Sequence, residues 1–244
     1  MSAQSGKAET ADAMDSNLRA PVVAFDIEVA GLEWEEVDEA TRHYLMARKR
    51  GESTEDLQNR LAFVRGLGRV VSIAMWNLQK DQGAVLVHGS GCRWDDFPEV
   101  PGTRVFRGNE REILTEFWRL ATDWGTVVTY NGRGYDGPVL MTRSAMLDVK
   151  PSRQLAGYRY SVREHCDLME VLNFFGAARE SYSLDYWCRR FGVESPKGKM
   201  DGSMVAQKAR TGRYDEIAEY CLRDTRATAD LFLRLRNTLI PLYK

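Results

Sequence analysis

Two carboxylates stand one residue apart inside an apolar run, Val22-Val23-Ala24-Phe25-Asp26-Ile27-Glu28-Val29-Ala30, opened by Pro21 and closed by Gly31. The β-branched and aromatic content of the run, bracketed by a proline and a glycine, predicts a strand. Side chains alternate along a strand, so Val22, Ala24, Asp26, Glu28 and Ala30 share one face and Val23, Phe25, Ile27 and Val29 share the other. A strand apolar on both faces belongs at the centre of a sheet. An ionised carboxylate in such a place costs roughly several kcal/mol unless it is paired or bound to a cation, and two on one face also repel each other. A divalent metal relieves both costs.

The same anomaly recurs near the end of the chain. Ile217, Cys221, Thr228, Leu231 and Leu235 recur at helical spacing, and Asp224 falls on their stripe where an apolar residue is expected. Tyr220 lies one turn before Asp224, so its phenol and the carboxylate reach a common point. A third place is Asp136, in the turn between a predicted strand at Thr126–Tyr130 and a helix starting near Pro138. That is the carboxyl end of a strand, where ligand sites form in α/β sheets. Four acids in three elements thus sit where a purely structural role is awkward, which points to a shared metal site.

The elements that must position these acids follow from pattern and punctuation. The chain has 244 residues, 43% hydrophobic and 28% charged, which is ordinary globular composition and excludes wholesale disorder. No apolar run approaches the ~18–20 residues of a bilayer helix, so no membrane association is expected. Four widely spaced cysteines without a C-x-x-C, and no signal-peptide pattern at the N-terminus, predict a reduced cytoplasmic protein without structural zinc. Residues 1–20 read as a disordered tail, and residues 21–244 as one domain. Within it, about 33–66 reads as a helical insertion, broken near Gly51-Glu52-Ser53. Strands are predicted at Arg69–Leu78 and Ala84–His88, then a Gly/Pro-rich loop through Gly102. A helix follows, capped by Asn109 with Glu112 and carrying Ile113, Leu114, Phe117, Trp118 and Ala121 inward. After the helix at Pro138 and a basic loop, the remainder reads as helical: about Cys166–Phe175, Ser183–Phe191, Gly202–Ala209 and Tyr214–Leu239. The order implies an α/β domain with a central mixed β-sheet flanked by α-helices.

Phe25-Asp26-Ile27-Glu28, Asn131-Gly-Arg-Gly-Tyr135-Asp136 with Pro138, and Tyr220-Cys-Leu-Arg-Asp224 resemble, in order and spacing, the three motifs of DEDDy-type 3′–5′ exonucleases. The likeness is to stand-alone predicted exonucleases related to the proofreading domain of family-B DNA polymerases, over about residues 21–236. Supporting matches are His165-Cys166-Asp167-Leu168-Met169, Ser183-Leu184-Asp185 and Lys199-Met200-Asp201-Gly202-Ser203. The resemblance implies a ribonuclease H-like fold and metal-dependent hydrolysis of the 3′-terminal phosphodiester, releasing nucleoside 5′-monophosphates. It implies that Asp26, Glu28, Asp136 and Asp224 hold two Mg²⁺ or Mn²⁺ ions and that Tyr220 helps orient the attacking water. Asn131 and Tyr135 of the second motif would stand beside the terminal nucleotide. The histidine branch of the superfamily needs a histidine at position 219, which is glutamate here. Family-B polymerases continue into a polymerase domain, whereas here the sequence stops twenty residues after Asp224, which implies no proofreading in cis.

The expected substrate is a nucleic-acid 3′ end, single-stranded and DNA by preference. An exoribonuclease is the alternative within the superfamily, and a non-catalytic nucleic-acid-binding protein the alternative outside it. A binder of polyanions gains nothing from clustered negative charge without metal. Net charge is −1, but the first 60 residues carry −6 and the remainder +5, so basic surface lies after residue 60. Residues 139–163 hold Arg143, Lys150, Arg153, Arg159 and Arg163 against Asp148 alone, with Tyr158 and Tyr160 interleaved. Such a loop suits phosphates and bases, with Arg153, Arg159 and Arg163 as contacts and Lys197 and Lys199 as a second pair. Gly132-Arg133-Gly134-Tyr135-Asp136-Gly137 also spells a dinucleotide-binding turn, but Asp136 would oppose a pyrophosphate there, which excludes that reading.

Overall fold

The computed structural model describes residues 18–48, 53–198 and 200–243, with only the backbone of Asn59. The proposed disorder of residues 1–17, the predicted break at Gly51-Glu52 and the position of Lys199 lie outside the described residues.

The first strand, β1 (Val22–Gly31), forms where the apolar run predicts it. A segment of short helices follows: a 3₁₀ turn at Trp34–Glu36, α1 (Glu39–Arg48), α2 (Thr54–Asn59, capped by Ser53) and a 3₁₀ turn at Leu61–Phe63. Then come β2 (Gly68–Asn77), β3 (Gln82–His88), β4 (Arg93–Asp96), β5 (Arg104–Gly108) and α3 (Glu110–Ala121). The Asn109–Glu112 capping box opens α3 as expected. The chain continues through β6 (Thr126–Thr129), α4 (Asp136–Met146), β7 (His165–Asp167) and α5 (Leu168–Leu172). It closes with α6 (Leu184–Phe191), α7 (Val205–Arg210) and α8 (Tyr214–Leu235).

The strands form one seven-stranded sheet in the order β4-β5-β3-β2-β1-β6-β7. β1 is antiparallel to β2 and parallel to β6, which in turn is parallel to β7, so the sheet is mixed. β1 lies inside the sheet and has no solvent face, which is why its sequence is apolar on both sides. Val23, Phe25, Ile27 and Val29 pack against Ile113, Leu114, Phe117 and Trp118 of α3 and Val139 and Leu140 of α4. On the opposite face, Val22 and Ala24 pack with Ala229, Leu231, Phe232 and Leu235 of α8. α8 also covers Ala74, Val85 and Val87 through Ala218, Cys221 and Leu222. The face of β1 that carries Asp26 and Glu28 is therefore the face that meets α8.

Three strands escape the sequence pattern. β4 and β5 lie in the stretch read as a Gly/Pro-rich loop and its sequel, and β7 opens the segment read as helix from Cys166. At three to five residues each, they are too short to show an alternation, and their pairing supplies what local propensity does not. The tail boundary is also earlier than expected. Arg19 donates its backbone N–H to Thr126 Oγ1 at 2.8 Å and accepts from Thr126 at 2.8 Å, and Leu18 packs on the α8 core, so residues 18–20 are fixed against β6. No helix among the described residues is long and apolar enough to cross a membrane.

Candidate active site

β1 delivers Asp26 and Glu28 to the α8 side, opposite Ala74 and Ser72 of β2. The β1–β2 register shifts between Glu28 and Val29, a bulge that interrupts the pairing beside the acids before it resumes at Val29 and Val70. Asp136 arrives from the carboxyl end of β6, as the first residue of α4 rather than two residues before it. The turn that carries it is tightly specified. Asn131 adopts a left-handed conformation (φ 65°), and its carbonyl accepts from Gly134 at 3.1 Å and Tyr135 at 3.0 Å. A Cβ on Gly132 would stand 2.5 Å from Thr129 Oγ1, so only glycine fits there. Asp224 projects from α8, with the Tyr220 hydroxyl of the preceding turn close enough to favour its charged form.

These acids act on one another. Burial pushes Asp26 well above the usual carboxylate range, and the charges of Asp136, Glu28 and Asp224 push it further. Glu28 is raised well above its ordinary value by burial, then by Asp224 and Asp136. Burial raises Asp136 to about 7, against a hydrogen bond from the Ile27 backbone that favours its charged form, and Asp167 adds to the rise. Asp224 is raised by burial to about 6, with the Tyr220 hydrogen bond and Arg223 opposing. Among the described residues, no lysine, arginine or histidine forms an ion pair with Asp26, Glu28 or Asp136. Four carboxylates from three elements therefore act on one another by charge, three of them with no paired protein cation among the described residues and Asp224 with Arg223 bearing on it.

Such a donor set fits divalent cations. The oxygens are hard, they repel without a counter-ion, and Asp26 and Glu28 approach within 4.8 Å of each other with the Cys221 thiol beside them. Cys221 is buried under Asp26, with Sγ 3.4 Å from its backbone oxygen and 3.9 Å from Oδ2. Tyr220 is held strongly protonated by burial and by Asp224, Glu28 and Asp26, so its phenol acts as a donor at neutral pH.

Asn131 and Tyr135 flank Asp136. The half-buried Tyr135 hydroxyl donates to the Ala62 carbonyl at 2.9 Å, tying the turn to the segment between β1 and β2. The arginines expected as substrate contacts are engaged within the fold. Arg153 donates to the carbonyls of Trp124 (2.6 Å) and Gly125 (2.9 Å), just before β6, at the sheet edge opposite the acids. The Arg163 carbonyl accepts from Thr126 at the same amino-terminal edge. The reason is topological: β7 runs parallel to β6, so the residues preceding it lie at the amino ends of both strands. Only Arg159 reaches round, pairing with Glu170 at 2.9 Å, and Lys197 pairs with Asp185 at 3.5 Å.

Asp167 and Arg133 are the functional supports that spacing alone does not reveal. Asp167 Oδ1 and Oδ2 each accept at 2.9 Å, from the backbone N–H groups of Asn131 and Arg133, while Oδ1 also accepts from Met169 and Glu170 at the start of α5. One buried carboxylate thus joins β7, α5 and the turn before Asp136. Arg133, also buried, donates to carbonyls of the 156–165 loop and pairs with Glu170 at 2.9 Å. His165 lies between Thr129 Oγ1 and the Leu155 carbonyl, and burial holds its pKa down to about 3, so it is a neutral core residue.

Residues 63–240 match the family described as "Predicted 3'-5' exonuclease related to the exonuclease domain of PolB". The chain belongs to this family. The match spans two of the three elements of the site, the turn that opens α4 and α8, but not β1. No curated protein matches the chain. Among solved structures, the family B DNA polymerase from the hyperthermophilic archaeon Pyrobaculum calidifontis is similar over 88% of this chain and 24% of that one, with TM-score 0.53 and 22% identity. The chain spans about a quarter of the length of that polymerase. At this identity the likeness carries the fold, and the mixed seven-stranded sheet with flanking helices is the expected ribonuclease H-like α/β architecture.

Proposed function

We propose that this protein is a divalent-metal-dependent 3′–5′ exonuclease that removes nucleoside 5′-monophosphates from single-stranded nucleic acid, DNA by preference. What supports the reading is the mutual charge effect among Asp26, Glu28, Asp136 and Asp224, the first three of which pair with no protein cation among the described residues. These four carboxylates would hold two Mg²⁺ or Mn²⁺ ions. When bound, such ions activate water and neutralise charge that develops on the phosphate. The protein's own groups do the positioning. The Tyr220 hydroxyl, oriented by Asp224, can donate to the attacking water or a phosphate oxygen, and its raised pKa prevents it from serving as the base. The new bond joins the water oxygen to phosphorus, the P–O3′ bond to the penultimate nucleotide breaks, and that 3′ oxygen leaves with a proton.

The test is digestion of 3′-labelled and 5′-labelled single-stranded DNA and RNA of one sequence in Mg²⁺ or Mn²⁺. The proposal expects mononucleotides from the 3′ label, a shortening ladder from the 5′ label, faster cutting of DNA, and arrest by EDTA. Intact oligonucleotide at saturating metal would overturn it, and faster cutting of RNA would reassign the substrate.

A further inference from the structure

The segment between β1 and β2 has no place in the chemistry described so far, yet it is built against the site. Val37, Leu45 and Leu61 are buried in a small core of their own, with Leu32, Trp34, Val64 and Leu67 around them. Where the segment leaves and rejoins the sheet, packing is close. A Cβ on Gly31 would meet Ala62 N at 3.0 Å, and one on Gly68 would meet Ala62 Cα at 3.3 Å. The Tyr135 hydroxyl bonds to Ala62 from the other side. Residues 61–63 are therefore a fixed wall.

Across from this wall stand α7 and the 3₁₀ turn Gly202–Met204. Between them lies a cavity of about 560 Å³, lined by Glu28, Tyr135, Gln58, Phe63, Ser203 and Gln207, among others. That volume falls inside the ~300–1,000 Å³ range of small-ligand pockets. Glu33 ties the two walls together, accepting from Arg210 of α7 at 2.5 Å and from Gln58 of α2 at 3.2 Å. The Tyr220 hydroxyl would lie 3.9 Å from a Cβ on Gly202, so the cavity opens beside two groups assigned to the scissile phosphate.

Phe63 is the unexplained side chain. It is 71% exposed, although its neighbour Leu61 is fully buried, and its ring stands 6.0 Å from the Tyr135 ring, tilted by 48°. A large aromatic face left open on a cavity wall is a stacking surface for a planar ligand. A phosphodiester at the carboxylates places its attached nucleoside within one nucleotide's length, which is the cavity that Glu28 borders. A space whose walls are tied by Arg210, Glu33 and Gln58 suits a strand end rather than a strand running through.

We infer that residues 61–63 form the base-side wall of the terminal-nucleoside site and that Phe63 stacks on the terminal base. This assignment rests on the exonuclease reading and gives the end of the segment between β1 and β2 a role. Loss of one base–aromatic contact corresponds to about a 5- to 100-fold loss of affinity. The test is calorimetric titration of dAMP, with Mn²⁺ present, into wild type, Phe63→Ala and Phe63→Trp. Phe63→Ala is expected to raise the dAMP Kd by about 5- to 100-fold with an unchanged melting temperature, and Phe63→Trp to retain wild-type binding. In cleavage assays Phe63→Ala raises KM rather than lowering kcat, and the difference disappears on a substrate whose 3′-terminal residue lacks its base. Wild-type affinity for dAMP in Phe63→Ala, or no dAMP binding by wild type, would overturn the assignment. Wild type that binds dAMP in a Phe63-dependent way but cuts nothing would support the pocket and overturn the exonuclease reading.

Discussion

At the scale of single residues, the site is a set of acids whose charges the fold penalises. Asp136 illustrates the sign. Its carboxyl is raised from 3.8 to about 7 by burial, so folding without metal binds a proton there in the intervening range. Stability from this group is complete below 3.8 and is lost as pH rises through about 7. Asp136→Asn removes that penalty while its amide oxygen can still accept from Ile27. The metal-free melting temperatures of wild type and Asp136→Asn should therefore coincide near pH 4, and the variant should become the more stable as pH approaches 8. Thermal unfolding in EDTA checks this, and His165, whose lowered pKa works in the opposite direction, cancels in the difference. With metal present the same variant should lose at least about 10³-fold in cleavage rate, the equivalent of several kcal/mol of charge stabilisation. Tyr220→Phe keeps the packing but removes one donor, so kcat should fall by about 10²–10³-fold with KM unchanged. An unaltered kcat would leave Tyr220 as a packing residue.

At the scale of elements, the question is what holds the acids in place. Asp26 and Glu28 need only the pleat of β1, and Asp224 only the repeat of α8, which is why both were legible in the sequence. Each occupies a position that alternation or helical spacing marks as apolar. The turn that carries Asp136 is different. Its shape depends on Asp167, 31 residues later, through bonds to the Asn131 and Arg133 backbone. Nothing local announces that contact, because β7 is three residues long and reads as the start of a helix. The same shortness hid β4 and β5, and the sequence could not place the basic loop because its destination depends on β7 running parallel to β6. Asp167→Asn retains one acceptor oxygen but cannot accept from both N–H groups of the turn. Leaving one buried N–H unsatisfied costs about 1–3 kcal/mol, a melting temperature lower by about 2–12 °C. A fall in kcat should accompany it, and differential scanning calorimetry with single-turnover kinetics measures both. An unchanged melting temperature would remove Asp167 as the support of the turn.

At the scale of the whole molecule, a seven-stranded sheet presents three acidic elements at one place, and its basic side chains serve other ends. Arg133 and Arg153 hold loops by their carbonyls, and Arg143 pairs with Glu110 at 2.6 Å. The net charge near zero fits a protein whose grip on a polyanion depends on bound cations rather than on its overall field. The folded state should therefore be stabilised by those cations: Mn²⁺ at about 100 times its Kd should add about 2.7 kcal/mol, seen as a rise in melting temperature that EDTA reverses. The most direct measurement is a titration of Mn²⁺ into wild type and Asp136→Asn at pH 7.5, followed by calorimetry or by the paramagnetic resonance of free Mn²⁺. The carboxylate site predicts saturable binding that approaches two ions per chain in wild type and loses at least one in the variant. Absence of saturable binding, or identical isotherms for the two proteins, would contradict it.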